Sequence, residues 1–116
     1  MGLAILTQVL PGRTAAGPAF EAALDELRQR VSRAYLHIDL DVLDTSEGRA
    51  NRFAAEGGLS LAELERAIEL AFERLQVDGA ATTAYDPSLD EDGRMARAAL
   101  DVIRTVAHEA LGQRAG

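Results

Sequence analysis

An alternation of apolar and polar side chains over residues 35–44 constrains the fold of this chain more than any other feature. Read with the two-residue period of a β-strand, one side is apolar and the other carries Tyr35, His37, Asp39 and Asp41. A strand between two helix layers is normally apolar on both faces, and an ionised carboxylate is costly to bury without a partner. The two acids therefore need compensation, either from a divalent cation or from a solvated loop whose backbone amides bond to them.

Helical and strand patterns alternate along the rest of the chain. The predicted elements are a helix over residues 18–32, the strand over residues 34–42, a helix from Ser60, a strand over residues 80–85 and a helix over residues 92–111. Ser60 and Glu63 form a capping box, Asp78-Gly79 predicts a turn, and Gly112 is expected to cap the last helix. Two strands joined through a helix pair in parallel, with helices flanking the sheet, so we predict a single α/β domain over residues 1–116.

Charge and composition exclude several classes of partner. The 116 residues carry a formal net charge of −7, which argues against a nucleic acid or an anionic membrane as a partner. Cysteine is absent, so the chain has neither disulfides nor thiolate ligands, as is common in cytoplasmic proteins. We therefore expect a cytoplasmic protein.

The acids of the two predicted strands are expected to lie at the same edge of the sheet. Asp39 and Asp41 lie near the carboxyl end of the first strand and Asp86 at that of the second, where open parallel sheets bind ligands. Residues i and i+2 of a strand are about 6.5 Å apart, so both acids can address one ion or two close ions. Oxygen ligands favour magnesium, manganese or calcium. His37, on the same side, is either a ligand, a partner that orients Asp39, or a packed histidine.

Three segments of the sequence resemble the ureohydrolase family, which includes arginase, agmatinase and formimidoylglutamase. Residues 37–44 (HIDLDVLD) are similar to its second metal-binding signature, S-x-D-x-D-x-x-D-P. Residues 57–60 (GGLS) are similar to its G-G-L-S/T segment, and residues 85–90 (YDPSLD) to its N-P-x-x-D segment. The segments occur in the family's order, and the resemblance covers roughly residues 20–112.

The resemblance implies a partial three-layer α/β/α arginase-like fold and a role for three aspartates. Family members hold two manganese ions and hydrolyse C–N bonds of guanidino or amidine compounds. Carried over residue by residue, Asp39 would bridge both metal ions, Asp41 would bind one of them, and Asp44 would hold the loop.

The sequence also departs from the family pattern. Its histidine-bearing segments, G-G-D-H and D-A-H-x-D, do not occur here, and His37 replaces the serine of the signature. Ala84 stands where the family has a glutamate that clamps the guanidinium, and Asp86 is a candidate substitute on the substrate side. The resemblance thus implies the C-terminal half of a manganese-dependent hydrolase that is inactive alone and lacks its N-terminal half. The alternative is a non-catalytic α/β module for binding or assembly, which is expected to dimerise through exposed strand edges and apolar helix faces.

Overall fold

A computed structural model of the chain describes residues 18–43, 47 and 59–115. Three helices and two strands form these parts of the protein: α1 (Pro18–Arg30), β1 (Arg33–Asp39), α2 (Leu61–Arg74), β2 (Gln76–Thr83) and α3 (Arg94–Ala115). Single 3-10 turns at Leu40–Val42 and Pro87–Leu89 follow the two strands. The predictions for Asp44 and for Gly57-Gly58 lie outside the described residues.

The two strands pair in parallel, as predicted, which confirms the α/β class. The second strand, however, begins at Gln76 rather than residue 80, so Asp78 and Gly79 lie within β2 and the predicted turn there is wrong. The pairing register shifts by one residue at this point: Ala34 pairs with Val77 and Tyr35 with Gly79, so Asp78 is an extra residue in β2. A Cβ atom on Gly79 would lie 3.1 Å from the ring of Tyr35, so glycine lets that ring lie across the sheet.

The first strand is shorter than the alternation predicted. It ends at Asp39, and Leu40–Val42 forms a 3-10 turn. The prediction that Asp41 lies in the strand is therefore wrong. The cause is local, because the Asp39 carboxylate accepts a hydrogen bond from the Asp41 backbone N–H at 2.9 Å. Aspartate side chains that bond to a backbone amide two residues on compete with strand pairing in this way.

The described helices pack on one face of the strand pair. Ile38 and Val77 belong to a buried cluster with side chains of α2 and α3, whereas α1 packs against α2 and the first half of β1. Along β1 the exposure alternates, with Tyr35, His37 and Asp39 exposed on the opposite face. Leu40 and Leu43 are fully buried below the turn and anchor it to the core.

Helix α2 begins at its predicted cap and is joined to α1 near its other end. The predicted capping box is present, with Ser60 Oγ accepting from the Glu63 N–H at 3.1 Å and Glu63 Oε1 accepting from the Ser60 N–H at 3.0 Å. Near its other end, Arg74 forms ion pairs with Glu21 and Asp25 of α1 at 3.2 and 2.9 Å. These pairs fix how α1 lies against α2.

Helix α3 extends beyond its predicted end, and Gly112 lies inside it rather than capping it. Gln113 explains the extension: its side-chain amide donates to the carbonyls of Phe72 and Leu75 at 3.0 and 2.8 Å and accepts from the Val77 N–H at 3.3 Å. One side chain therefore joins α3, α2 and β2. In the described residues, no helix has the length and apolar character needed to cross a membrane.

Candidate functional site

The carboxyl ends of β1 and β2 lie side by side, since Asp39 pairs with Thr83 at the last rung of the ladder. Asp39 is exposed on the face opposite the helices, and Asp41 is half-buried in the turn that follows. Their local hydrogen bond matches the loop interpretation of the acid pair, in which backbone amides compensate the carboxylates. The turn nevertheless keeps both acids at the carboxyl edge of the sheet, where ligands of parallel sheets bind.

The acid pair provides only part of a manganese site. Carboxylate oxygens suit manganese, but a complete site needs more donors than two aspartates. Within the described ranges, no cluster of three or more histidine, cysteine, aspartate or glutamate side chains is placed to hold a metal ion. The described residues therefore do not fit a complete two-metal centre.

His37 is held by the neighbouring strand. Its Nε2 shares a hydrogen bond of 2.8 Å with the Thr83 hydroxyl, across the ladder on the exposed face. Because Thr83 is also the ladder partner of Asp39, the imidazole is fixed close to the acid pair. His37 is thus placed beside Asp39, and a role for it as a ligand or a partner of a ligand stays a prediction.

Asp86 lies beyond the end of β2 and caps a turn. Its Oδ1 accepts hydrogen bonds from the Ser88 N–H at 3.0 Å and from the Ser88 hydroxyl at 2.6 Å. Pro87 at the first position favours this 3-10 turn because its fixed backbone angle suits a helical start. The carboxylate offered as a substrate-side candidate therefore also has a structural task.

Asp90 is the residue at this edge that sequence reasoning missed. Its carboxylate accepts hydrogen bonds from the backbone N–H groups of Met95 and Ala96, both at 2.9 Å, and from the Tyr85 hydroxyl at 2.7 Å. It thereby satisfies amides in the first turn of α3 and ties the strand-end loop to that helix. Asp90 is the final aspartate of the segment that resembles N-P-x-x-D, but no role was assigned to it, and the helix was predicted to start at Asp92.

The surroundings of Asp90 shift two pKa values in opposite directions. Desolvation raises the pKa of Asp90, but the hydrogen bonds from Tyr85, Met95 and Ala96, together with the charge of Arg97, outweigh it and leave the pKa below its usual value. The pKa of Tyr85 is raised, chiefly because its hydroxyl donates to Asp90. Both shifts favour the pair in which Asp90 is ionised and Tyr85 is protonated.

Ala84, directly after β2, has a φ of +70°. This left-handed backbone conformation costs a residue with a Cβ about 1–2 kcal/mol. It turns the chain sharply out of the strand, two residues before Asp86. The position that the resemblance assigns to a clamping glutamate is therefore a strained alanine at the carboxyl edge.

Comparison with known proteins identifies the chain. The sequence profile described as "Arginase family" matches residues 7–108. The chain belongs to the arginase family. The formimidoylglutamase of Salmonella newport (strain SL254) is 33% identical over 87 residues, which are 75% of this chain and 28% of the relative. That of Klebsiella pneumoniae subsp. pneumoniae is 36% identical over 94 residues, 78% of this chain and 30% of the relative.

A solved arginase-family structure confirms the fold. Formimidoylglutamase from Bacillus subtilis superposes with a TM-score of 0.73 at 26% identity, over 79% of this chain and 29% of that chain. The chain therefore spans less than a third of each of these three relatives. The family predicted from the three sequence segments and the α/β class predicted from the order of elements are both confirmed, although Asp44 and Gly57-Gly58 in those segments lie outside the described residues.

Proposed function

We propose that this chain supplies the Asp39–Asp41 part of a manganese-dependent, arginase-type centre that hydrolyses C–N bonds of guanidino or amidine compounds. Family membership supports the reaction class. The observation that carries the assignment is the position of the acids: an exposed aspartate ends a parallel strand, and a second follows two residues later at the same edge. Open parallel sheets bind their ligands at this edge.

The chain alone is inactive under this proposal. Two carboxylates leave most coordination positions of two manganese ions unfilled, so the remaining donors must come from elsewhere. The relatives are more than three times as long as their matched parts, which leaves ample sequence to carry those donors. The partner in this role is a polypeptide that provides the histidine-bearing segments of the family.

A second function, a non-catalytic binding or assembly module, is favoured by a specific observation. The Asp39 carboxylate already accepts from the Asp41 amide, and Ala84 stands where the resemblance places the substrate-clamping glutamate. Under this alternative, the acids only shape the turn after β1. The two functions therefore differ in whether manganese is drawn to Asp39.

Paramagnetic broadening in NMR spectra separates the two functions. Substoichiometric Mn²⁺ broadens nearby amide signals, so the catalytic assignment predicts early loss of signals from residues 38–43, with Asp39→Asn removing the effect. Glu26→Gln on α1 removes one exposed carboxylate far from the strand ends and serves as the matched control. Uniform broadening over the acidic surface, unchanged in Asp39→Asn, would favour the non-catalytic module.

A hydrolysis assay tests the expected inactivity. Arginine, agmatine and formimidoylglutamate are incubated with the chain and Mn²⁺, and release of urea, ammonia or formamide is measured. No release above the Asp39→Asn background is expected. Release that depends on Asp39 would show that the chain completes its own centre.

A further inference from the structure

An apolar stripe lies exposed along the outer side of α3. Leu100, Ile103 and Leu111 are 53%, 50% and 65% exposed, and Ala107 is exposed between them. With the half-buried Ala96 they recur at intervals of four, three, four and four residues, which keeps them on one side of a helix over about 22 Å. We name these five residues the α3 stripe.

The stripe is separate from the surface that α3 uses inside the protein. Met95, Ala98 and Val102 point into the core, and Thr105 bonds to Glu65 of α2 at 2.8 Å. At 100° per residue, the stripe begins about 100° from Val102 on the side away from Thr105. It therefore lies on the side of α3 away from α2, at the open end of the helix layer.

The stripe is complementary to itself when two helices run antiparallel. A two-fold axis between residues 103 and 104 places Ala96 opposite Leu111, Leu100 opposite Ala107, and Ile103 next to its own copy. Each large side chain thus meets a small one, apart from the central isoleucines. A two-fold dimer requires such self-complementarity, since each contact is made twice.

Charges at the ends of the stripe agree with this pairing. The same axis places Arg114, exposed near the carboxyl end of α3, opposite residue 93 of the other copy. The turn preceding that residue contains Glu91 and Asp92, both exposed. A parallel arrangement would instead bring Arg114 next to Arg114. The antiparallel axis brings the two Arg104 side chains near each other, and each of these pairs with Asp101 of its own helix at 3.5 Å.

From these observations we infer that the α3 stripe is a dimer interface whose occupant is α3 of a second copy of this chain, running antiparallel. A single helix pair buries less surface than a typical stable dimer interface, so the dissociation constant is expected at about 10–100 μM. The interface uses none of the residues at the carboxyl edge of the sheet. Substitutions in the stripe therefore leave the proposed metal-binding residues unaltered.

Sedimentation equilibrium of the full chain over a concentration series tests the interface. The mass is expected to rise from 12.4 kDa towards twice that value. Leu100→Glu should raise the dissociation constant by about tenfold or more, because a carboxylate then faces the apolar stripe. Gly112→Glu adds the same charge on another side of α3, where a Cβ meets open space, and should leave dimerisation unchanged.

Charge reversal tests the antiparallel direction. Arg114→Glu should weaken the dimer, and combining it with Glu91→Arg should restore it. Both residues are exposed, and circular dichroism of each variant checks that the fold is retained.

Three results would overturn the inference. The first is a monomer at millimolar concentration, and the second is a dimer that Leu100→Glu leaves intact. The third is a chain that stays monomeric alone but binds the N-terminal part of a formimidoylglutamase, because the stripe would then serve that segment.

Discussion

The two strands of this protein end side by side, but their ends are held in different ways. At the end of β1, buried Ile38 and Leu40 anchor the chain by packing, while the Asp39 carboxylate bonds to a neighbouring amide. At the end of β2, Asp90 accepts two backbone N–H groups and a hydroxyl. Two strand ends rich in acids can therefore differ in function, and the bonds that each carboxylate makes indicate which acids support structure and which are placed to receive a ligand.

The largest expected effect is loss of packing under the end of β1. Ile38→Ala should lower the free energy of unfolding by about 2–5 kcal/mol, because it leaves a cavity among α2, α3 and the sheet. Asp39→Ala, one residue later and exposed, should change it by no more than about 0.5 kcal/mol. Urea denaturation compares the two, and a large loss in Asp39→Ala would show that the acid is a structural cap.

Removal of the Asp90 carboxylate should have the next largest effect. Asp90→Ala leaves the Met95 and Ala96 amides and the Tyr85 hydroxyl without their acceptor, so the urea midpoint should fall clearly below that of Asp39→Ala. Equal midpoints for the two variants would remove the distinction between the strand ends.

The hydrogen bonds of Asp90 also predict how the stability of the protein depends on pH. The pKa of Asp90 is lowered in the folded state, so its ionised carboxylate stabilises the fold above the ordinary aspartate pKa of about 4. This stabilisation is lost as the pH falls through the pKa of the folded state. The acid limb of a stability curve should therefore be shallower in Asp90→Asn than in the unaltered chain. An unchanged acid limb in Asp90→Asn would contradict a stabilising role for the ionised Asp90 carboxylate.

Relief of strain at Ala84 should be a smaller and stabilising effect. Ala84→Gly removes the Cβ penalty at a φ of +70°, and after the entropic cost of glycine a gain of about 0.5–1 kcal/mol is expected. Ala81→Gly, inside β2, should instead lose about 0.5–1 kcal/mol. Thermal unfolding of both variants measures the difference, and a loss in Ala84→Gly would mean that the alanine makes a compensating contact.

The smallest expected effect is a change in one pKa. Tyr85→Phe removes a hydroxyl that donates to Asp90, so the pKa of Asp90 should rise. NMR titration of the Asp90 carboxyl carbon measures this change. An unchanged pKa of Asp90 would assign its lowering to the backbone amides of Met95 and Ala96 and to the charge of Arg97.

Periodicity predicted those parts of the molecule in which packing decides the structure. Helix α2 and its Ser60 capping box follow directly from residue spacing, and both are present. The errors occur where a single contact overrides the pattern: the Asp39–Asp41 hydrogen bond ends β1 early, and Gln113 carries α3 past Gly112. Ile103 has the spacing of a core residue yet is half exposed, since periodicity cannot tell which apolar side of a helix faces its own core.

The candidate site was predictable as a location but not as a geometry. The three sequence segments led to the family and to the edge that holds Asp39 and Asp41. They did not reveal that Asp41 lies in a turn, that His37 bonds to Thr83, or that Asp90 anchors α3. These contacts join parts of the chain far apart in sequence or depend on a local backbone change, and neither leaves a periodic signal.

Isothermal titration of the chain with Mn²⁺ tests most directly whether the acid pair is part of a larger metal centre. The account predicts binding with a dissociation constant of about 1 mM or weaker, because two carboxylates provide few ligands, and loss of that binding in Asp39→Asn. Micromolar binding by the chain alone would contradict it, since the site would then be complete without a further polypeptide.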